Sequence, residues 1–274
     1  MPRSFFVLIV LGSAFNSSAA DAPSSVPMQL LGNLPVVTAK IDGHDVPLVF
    51  DLGDASALVL AGRVIGRVKT SPTSETSRST DVQGNVIESP MFKLARLQIG
   101  NAVFTDVIGR LDSHDPKYQP PDVGQQGYFG TSLLKSYMVV LDYRHRQMTL
   151  IPTGSSKNQS AKCGGTAVPF LPNWNPYTVT KVSTDFGDLT AIWDTGSDES
   201  VLRQPGSQKI SNSDLTEIVT TKRLSFGGTD FGPLKLHIAD YAQPAGTDMI
   251  IGYNFFAQHV VCIDFPGHRF LIRR

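Results

Sequence analysis

Two aspartates in this chain sit in matching surroundings. In "VPLVFDLGDASALVL", Val46 to Leu60, Asp51 follows an apolar run, Gly53 lies two residues on, and an apolar pair begins at Leu58. In "LTAIWDTGSDESVL", Leu189 to Leu202, Asp194 follows an apolar run, Gly196 lies two residues on, and an apolar pair begins at Val201. Two carboxylates placed side by side cannot both ionise easily, so such a pair shares a proton. One member then acts as a base while the other donates. The question is whether the two turns are halves of one site.

The elements that must position them also recur. "YFGTSLLKSYMVVLDYRHRQMTLI" begins at Tyr128, and "IIGYNFFAQHVVCIDFPGHRFLI" begins at Ile250. With Gly130 laid on Gly252, Leu133-Leu134 meets Phe255-Phe256, Val139-Val140 meets Val261-Cys262, and Asp142 meets Asp264 without a gap. A match this long implies two copies of one supersecondary unit. Each copy reads as β: "LPVVTAKI" and "YTVTKV" are short β-rich runs ending at polar turns, and a strand leads into each Asp. A short helical turn is expected after each of Gly130 and Gly252, then a hairpin. The first copy is longer in its middle. "KTSPTSETSRSTD", Lys69 to Asp81, reads as a polar flexible segment, and "DSHDPKYQPPDVGQQ" as a Pro-rich loop. Between them a hairpin turns at Gln83, Gly84 and Asn85.

Hydrophobic content of 41% and charged content of 18% suit a globular protein with a real core. Lys+Arg and Asp+Glu balance at 24 each, which gives no general electrostatic case for nucleic acid or an anionic membrane. The N-terminus has Arg3, an apolar run from Phe5 to Phe15, then small residues to Ala20. This is the layout of a secretory signal peptide over residues 1–20. Export to a periplasm or the exterior follows, with no stable membrane insertion after cleavage. Two cysteines remain, Cys163 and Cys262, and they read either as a disulfide or as separate thiols.

Taken together, the paired Asp-x-Gly turns and the paired Gly130 and Gly252 segments resemble the aspartic peptidases. Each half resembles the retropepsin type, fused in tandem as in two-lobed pepsin-like enzymes. The resemblance implies an all-β fold of two pseudo-two-fold-related lobes with short helices. The first lobe would span residues 21–151 and the second 166–274, joined by a linker over 152–165. It implies an endopeptidase in which Asp51 and Asp194 activate water on a peptide or protein substrate, with no cofactor and no metal. Gly53 and Gly196 would let the loops turn tightly. In this family the Thr after each Asp ties the two loops together, and a Ser or Thr after the Gly supports the carboxylate. Thr195 and Ser197 fit. Leu52 has no hydroxyl, and Asp54 adds negative charge that would raise the proton affinity of Asp51. The pepsin-like flap carries a Tyr, whereas the candidate flap Gln83-Gly84-Asn85 does not. Two copies in one chain also remove the need for a dimer, so a monomer is expected.

Other readings are open at this level. Asp51 also reads as a structural turn residue, and Asp142 and Asp264 read best as turn stabilisers. Trp193 reads as core packing. The six His show no metal-ligand spacing, and "GTSLL" lacks the Gly-x-Ser-x-Gly elbow of serine hydrolases. The alternative function is a catalytically impaired relative that binds a peptide or envelope ligand.

Overall fold

The computed structural model describes residues 22–81, 83–112, 126–153, 163–206, 217–242 and 245–274. The segment expected to be a signal peptide, most of the Pro-rich loop and most of the expected linker therefore lie outside the described residues. Within them the chain is all-β with two short helices, Gly62–Ile65 and Tyr253–Phe256, and two 3-10 turns. The apolar alternation does what the sequence suggests. Leu34–Ile41 forms a strand whose Val36, Val37, Ala39 and Ile41 are buried, and it pairs antiparallel with His44–Phe50 across the Asp42-Gly43 turn. Both turn residues hold positive φ, 49° and 81°, the region where Gly is unstrained. In the second half, Val179–Thr184 pairs with Gly187–Trp193 in the same way.

Three sheets organise the molecule. One eight-stranded sheet belongs to each half. The third has six strands and is shared. From the first half come Ser24–Pro27, Tyr137–Asp142 and Gln147–Pro152; from the second come Thr166–Pro169, Val260–Asp264 and Arg269–Arg273. Its centre is the antiparallel pair of Tyr137–Asp142 with Val260–Asp264, so the matched hairpins meet there. One core cluster runs through both halves and includes Phe50, Leu52, Phe129, Trp193, Ile251 and Phe270. Trp193 is fully buried against Phe226, Phe255, Phe256 and Phe270, and its indole N–H donates to Thr180 at 2.9 Å. Asp142 accepts from His145, and Asp264 accepts from Gly267 and Arg269, so both act within their turns.

One expectation is overturned. Thr70–Thr80 is an eleven-residue strand, not a flexible segment, and it pairs antiparallel with Val86–Ile99. Much of it is exposed, so no apolar alternation marks it in the sequence. β-branched threonines and backbone pairing hold it instead, with a register shift between Pro72 and Thr76.

Cys163 and Cys262 are joined in a disulfide across a sequence separation of 99. It sits among Met138, Ile151 and Leu271, on the shared sheet. Closing so long a loop restricts the unfolded chain strongly, at roughly 2–5 kcal/mol. Reductant is expected to lower the melting temperature of the wild type. A Cys163→Ser/Cys262→Ser variant should melt at that lower temperature and ignore reductant. Thermal melts with and without dithiothreitol check both points.

Candidate active site

Each aspartate leaves the end of a strand at the same place in the same local fold. Phe50 pairs in parallel with Phe129, and the Asp51 N–H donates to the Phe129 carbonyl at 3.0 Å. Trp193 pairs in parallel with Ile251, and the Asp194 N–H donates to the Ile251 carbonyl at 3.0 Å. The far side of each turn is clamped too. Thr131 donates its N–H to the Asp54 carbonyl, and Tyr253 donates to the Ser197 carbonyl, both at 3.0 Å. This close approach explains the paired glycines behind the turns. A Cβ on Gly130 would fall on the Asp54 carbonyl oxygen, and one on Gly252 would fall on that of Glu199.

The two turns meet face to face. Gly53 N–H donates to Asp51 Oδ1 at 2.8 Å, and Gly196 N–H donates to Asp194 Oδ1 at 2.7 Å. Each glycine also backs onto the opposite carboxylate. A Cβ on Gly53 would stand 2.6 Å from Asp194 Cγ, and one on Gly196 would stand 2.9 Å from Asp51 Cγ. The carboxyl groups of Asp51 and Asp194 hydrogen-bond to each other. Burial, then the charge of Asp194, then that of Asp54 push the Asp51 pKa well above the usual carboxylate range. Burial also raises Asp194, against hydrogen bonds from Asp51 and the Gly196 amide that favour its anion. The two carboxyl groups therefore titrate as a pair that shares one proton.

The loops are tied by one hydroxyl. Thr195, fully buried, accepts from the Leu52 N–H at 3.0 Å and donates to the Phe50 carbonyl at 2.5 Å. Leu52 returns nothing and is buried in the apolar core. The Trp193 carbonyl, counterpart of Phe50's, is met from within its own half by Thr178 Oγ1 at 3.5 Å. Ser197 departs from its expected role: its hydroxyl donates to the Glu199 carbonyl at 2.7 Å, not to Asp194. That part of the family pattern is corrected here, because the Ser197 hydroxyl is spent on closing its own turn.

Asp54 is also different from a bare added charge. Its carboxylate accepts the Ser56 N–H and forms a 3.0 Å ion pair with Arg110. The Arg110 side chain is only 5% exposed, so its charge is held by its partners. It donates to Ser56 Oγ and to Tyr128 Oη, both at 3.0 Å, as well as to Asp54. Asp54 still ranks behind burial and Asp194 among the causes that raise Asp51. The sequence reading missed Arg110. Its signal was a lone arginine at the end of the largely apolar strand Ala102–Leu111.

Asp51 and Asp194 open into a cavity of about 680 Å³. The hairpin of Thr70–Thr80 and Val86–Ile99 forms one wall, with Ser77, Ser79, Asp81 and Ile87. Its tip holds Gln83, Gly84 and Asn85. Asp81 Oδ1 accepts the amides of Gln83 at 2.9 Å and Asn85 at 2.8 Å. A Cβ on Gly84, whose φ is 93°, would stand 3.1 Å from Ala242 Cβ, so the tip reaches the second half of the chain. The candidate flap residues thus stand at the tip of the hairpin that walls the cavity, against the second half of the chain. Among the described residues no group of three or more His, Cys, Asp and Glu is arranged to hold a metal ion.

No family model matches the chain, and no curated protein matches it by sequence. Solved structures do match its fold. One is the aspartic proteinase from Irpex lacteus, with a TM-score of 0.62 over 92% of this chain and 97% of that one, at 16% identity. The fold is therefore the two-lobed all-β architecture of pepsin-like aspartic proteinases.

Two outcomes are expected from this geometry. Thr195→Val removes both cross-loop bonds at a buried position and should cost about 2–3 kcal/mol in a urea melt. Arg110→Met strands the Asp54 carboxylate and should cost about 3 kcal/mol. Adding Asp54→Ser to Arg110→Met should then cost much less than the two single changes summed.

Proposed function

We propose that the protein is an exported aspartic-type endopeptidase. The observation that carries this reading is the dyad: two carboxyl groups bonded to each other, each packed on the opposite loop's glycine, at the floor of an open cleft. Export rests on the N-terminal Arg3, apolar run and small-residue sequence, and suits a periplasm or the exterior.

In this reading a peptide lies along the cleft beneath the hairpin Thr70–Ile99. A water between the carboxyl groups attacks the scissile carbonyl carbon. Asp194, taken as the ionised member, takes a proton from that water, while Asp51 gives its proton to the carbonyl oxygen. The resulting gem-diol collapses: the C–N bond breaks, the nitrogen leaves with the proton from Asp194, and Asp51 recovers one from the diol. One proton on the pair is needed throughout. The binding-protein alternative draws on one feature, the missing hydroxyl at Leu52, which leaves the loops tied from one side only.

Digestion of a peptide library by the mature protein, across pH, tests the proposal. Asp194→Asn and Asp51→Asn should each lower kcat about 10⁴-fold. Cleavage that persists in Asp194→Asn would overturn the mechanism, and absence of wild-type turnover at every pH would favour the binder.

The pH profile has a determined sign. Activity should fall as pH rises through the upper step of the dyad, where the pair loses its one proton. It should fall again at low pH, where the pair gains a second proton. Both pKa values are raised, so the window lies above that of isolated carboxylates. Asp54→Asn removes an anion that raises Asp51 and should move the upper limb of kcat/KM to lower pH.

A further inference from the structure

Every carboxylate lining the main cavity is already engaged. Asp51 and Asp194 share a proton, Asp54 pairs with Arg110, and Asp81 caps the hairpin tip. Two cations of the same lining are not. Lys135, exposed just beyond the 3-10 turn Thr131–Leu134, lines the floor, and Arg78, exposed on the strand Thr70–Thr80, lines the wall. Neither side chain has a hydrogen-bond or ion-pair partner among the described residues.

Lys135 holds a special place. A second cavity of about 580 Å³ adjoins the first, and Lys135 and Tyr177 line both. Its walls include Phe170, Leu171, Pro172 and Phe265, which offer apolar surface to an extended chain. Its charged or titratable lining groups besides Tyr177 are Lys135 and His268, with no carboxylate among the described residues. A peptide running from the dyad into this second cavity passes the Lys135 ammonium. The second cavity sets no carboxylate against that ammonium, so opposite charge on the ligand is favoured there.

We propose that this cleft selects peptides bearing an Asp or Glu side chain at a fixed distance from the bond over the dyad, with Lys135 as the group that reads it. The selectivity rests on the peptidase reading for its substrate, but binding can be measured apart from turnover.

The test uses the mature Asp194→Asn protein and a labelled neutral peptide along which one Glu, or its isostere Gln, is walked. Fluorescence anisotropy should show the Glu peptide binding about fivefold tighter than the Gln peptide at one position, with the difference shrinking in high salt. Lys135→Ala should erase the difference, and Lys135→Glu should transfer the preference to a Lys-bearing peptide. Equal binding of Glu and Gln at every position, or a Glu preference unchanged in both Lys135 variants, overturns the proposal. Wild-type turnover is scored separately. Cleavage without acidic preference removes the selectivity and leaves the peptidase. Acidic binding without cleavage removes the peptidase and leaves the selectivity, and no binding or cleavage of any peptide removes both.

Discussion

Holding two carboxyl groups against each other, away from bulk water, is unfavourable unless they share a proton, and the rest of the molecule is arranged around that constraint. Neither loop is placed by its own sequence alone. Each hangs from the end of a strand that is hydrogen-bonded to a later parallel strand, Phe50 beside Phe129 and Trp193 beside Ile251. The opposite side of each turn is pinned by the Thr131 and Tyr253 amides. The shared six-stranded sheet then joins the two halves through the pairing of Tyr137–Asp142 with Val260–Asp264. Repulsion at the dyad is thus opposed by backbone pairing spread over both halves, with Thr195 as the direct tie between loops.

The two halves reach this end by different means. In the second loop a threonine follows the aspartate and reaches across. In the first a leucine follows it and is buried in the common core, so one-sided hydrogen bonding is accompanied by apolar packing. The fourth position differs as well. Ser197 closes its turn onto Glu199, whereas Asp54 closes onto Ser56 and draws in the buried Arg110. The buried arginine beside the dyad does two things at once. It compensates Asp54, and its bonds to Ser56 and Tyr128 connect the loop to the strands on either side. Replacing Asp54 with a hydroxyl residue would therefore not simply restore symmetry, because the buried Arg110 would lose its counter-charge.

The same accounting shapes the cleft. Its acids are engaged in the dyad, in the Arg110 pair and in the hairpin tip, while Lys135 lines it with no hydrogen-bond or ion-pair partner among the described residues. The wall is a polar hairpin with no tyrosine among its tip residues, and its contact with Ala242 is made by a glycine. Backbone and small side chains, more than aromatic cover, close the cleft on that side.

Much of this was legible in the chain itself. Alternating apolar residues marked Leu34–Ile41 and Val179–Thr184 as strands, and the Asp-x-Gly turns and matched Gly130 and Gly252 segments located the dyad, because steric demands at close backbone contacts restrict residue type. The hairpin turn at Gln83-Gly84-Asn85 was legible for the same reason. Other features depended on contacts far apart in sequence. Thr70–Thr80 is a strand because Val86–Ile99 pairs with it, although its exposed residues carry no periodic signal. Cys163 and Cys262 were two cysteines with two readings until the fold brought their Cα atoms to 6.2 Å. Arg110 became the partner of Asp54, and Ser197 turned from Asp194 to Glu199, because side-chain hydrogen bonds go to whichever acceptors the tertiary fold places in reach. Local sequence determined where the turns and strands lie; only the folded chain decided which charges are paired, since burial and distance set that choice.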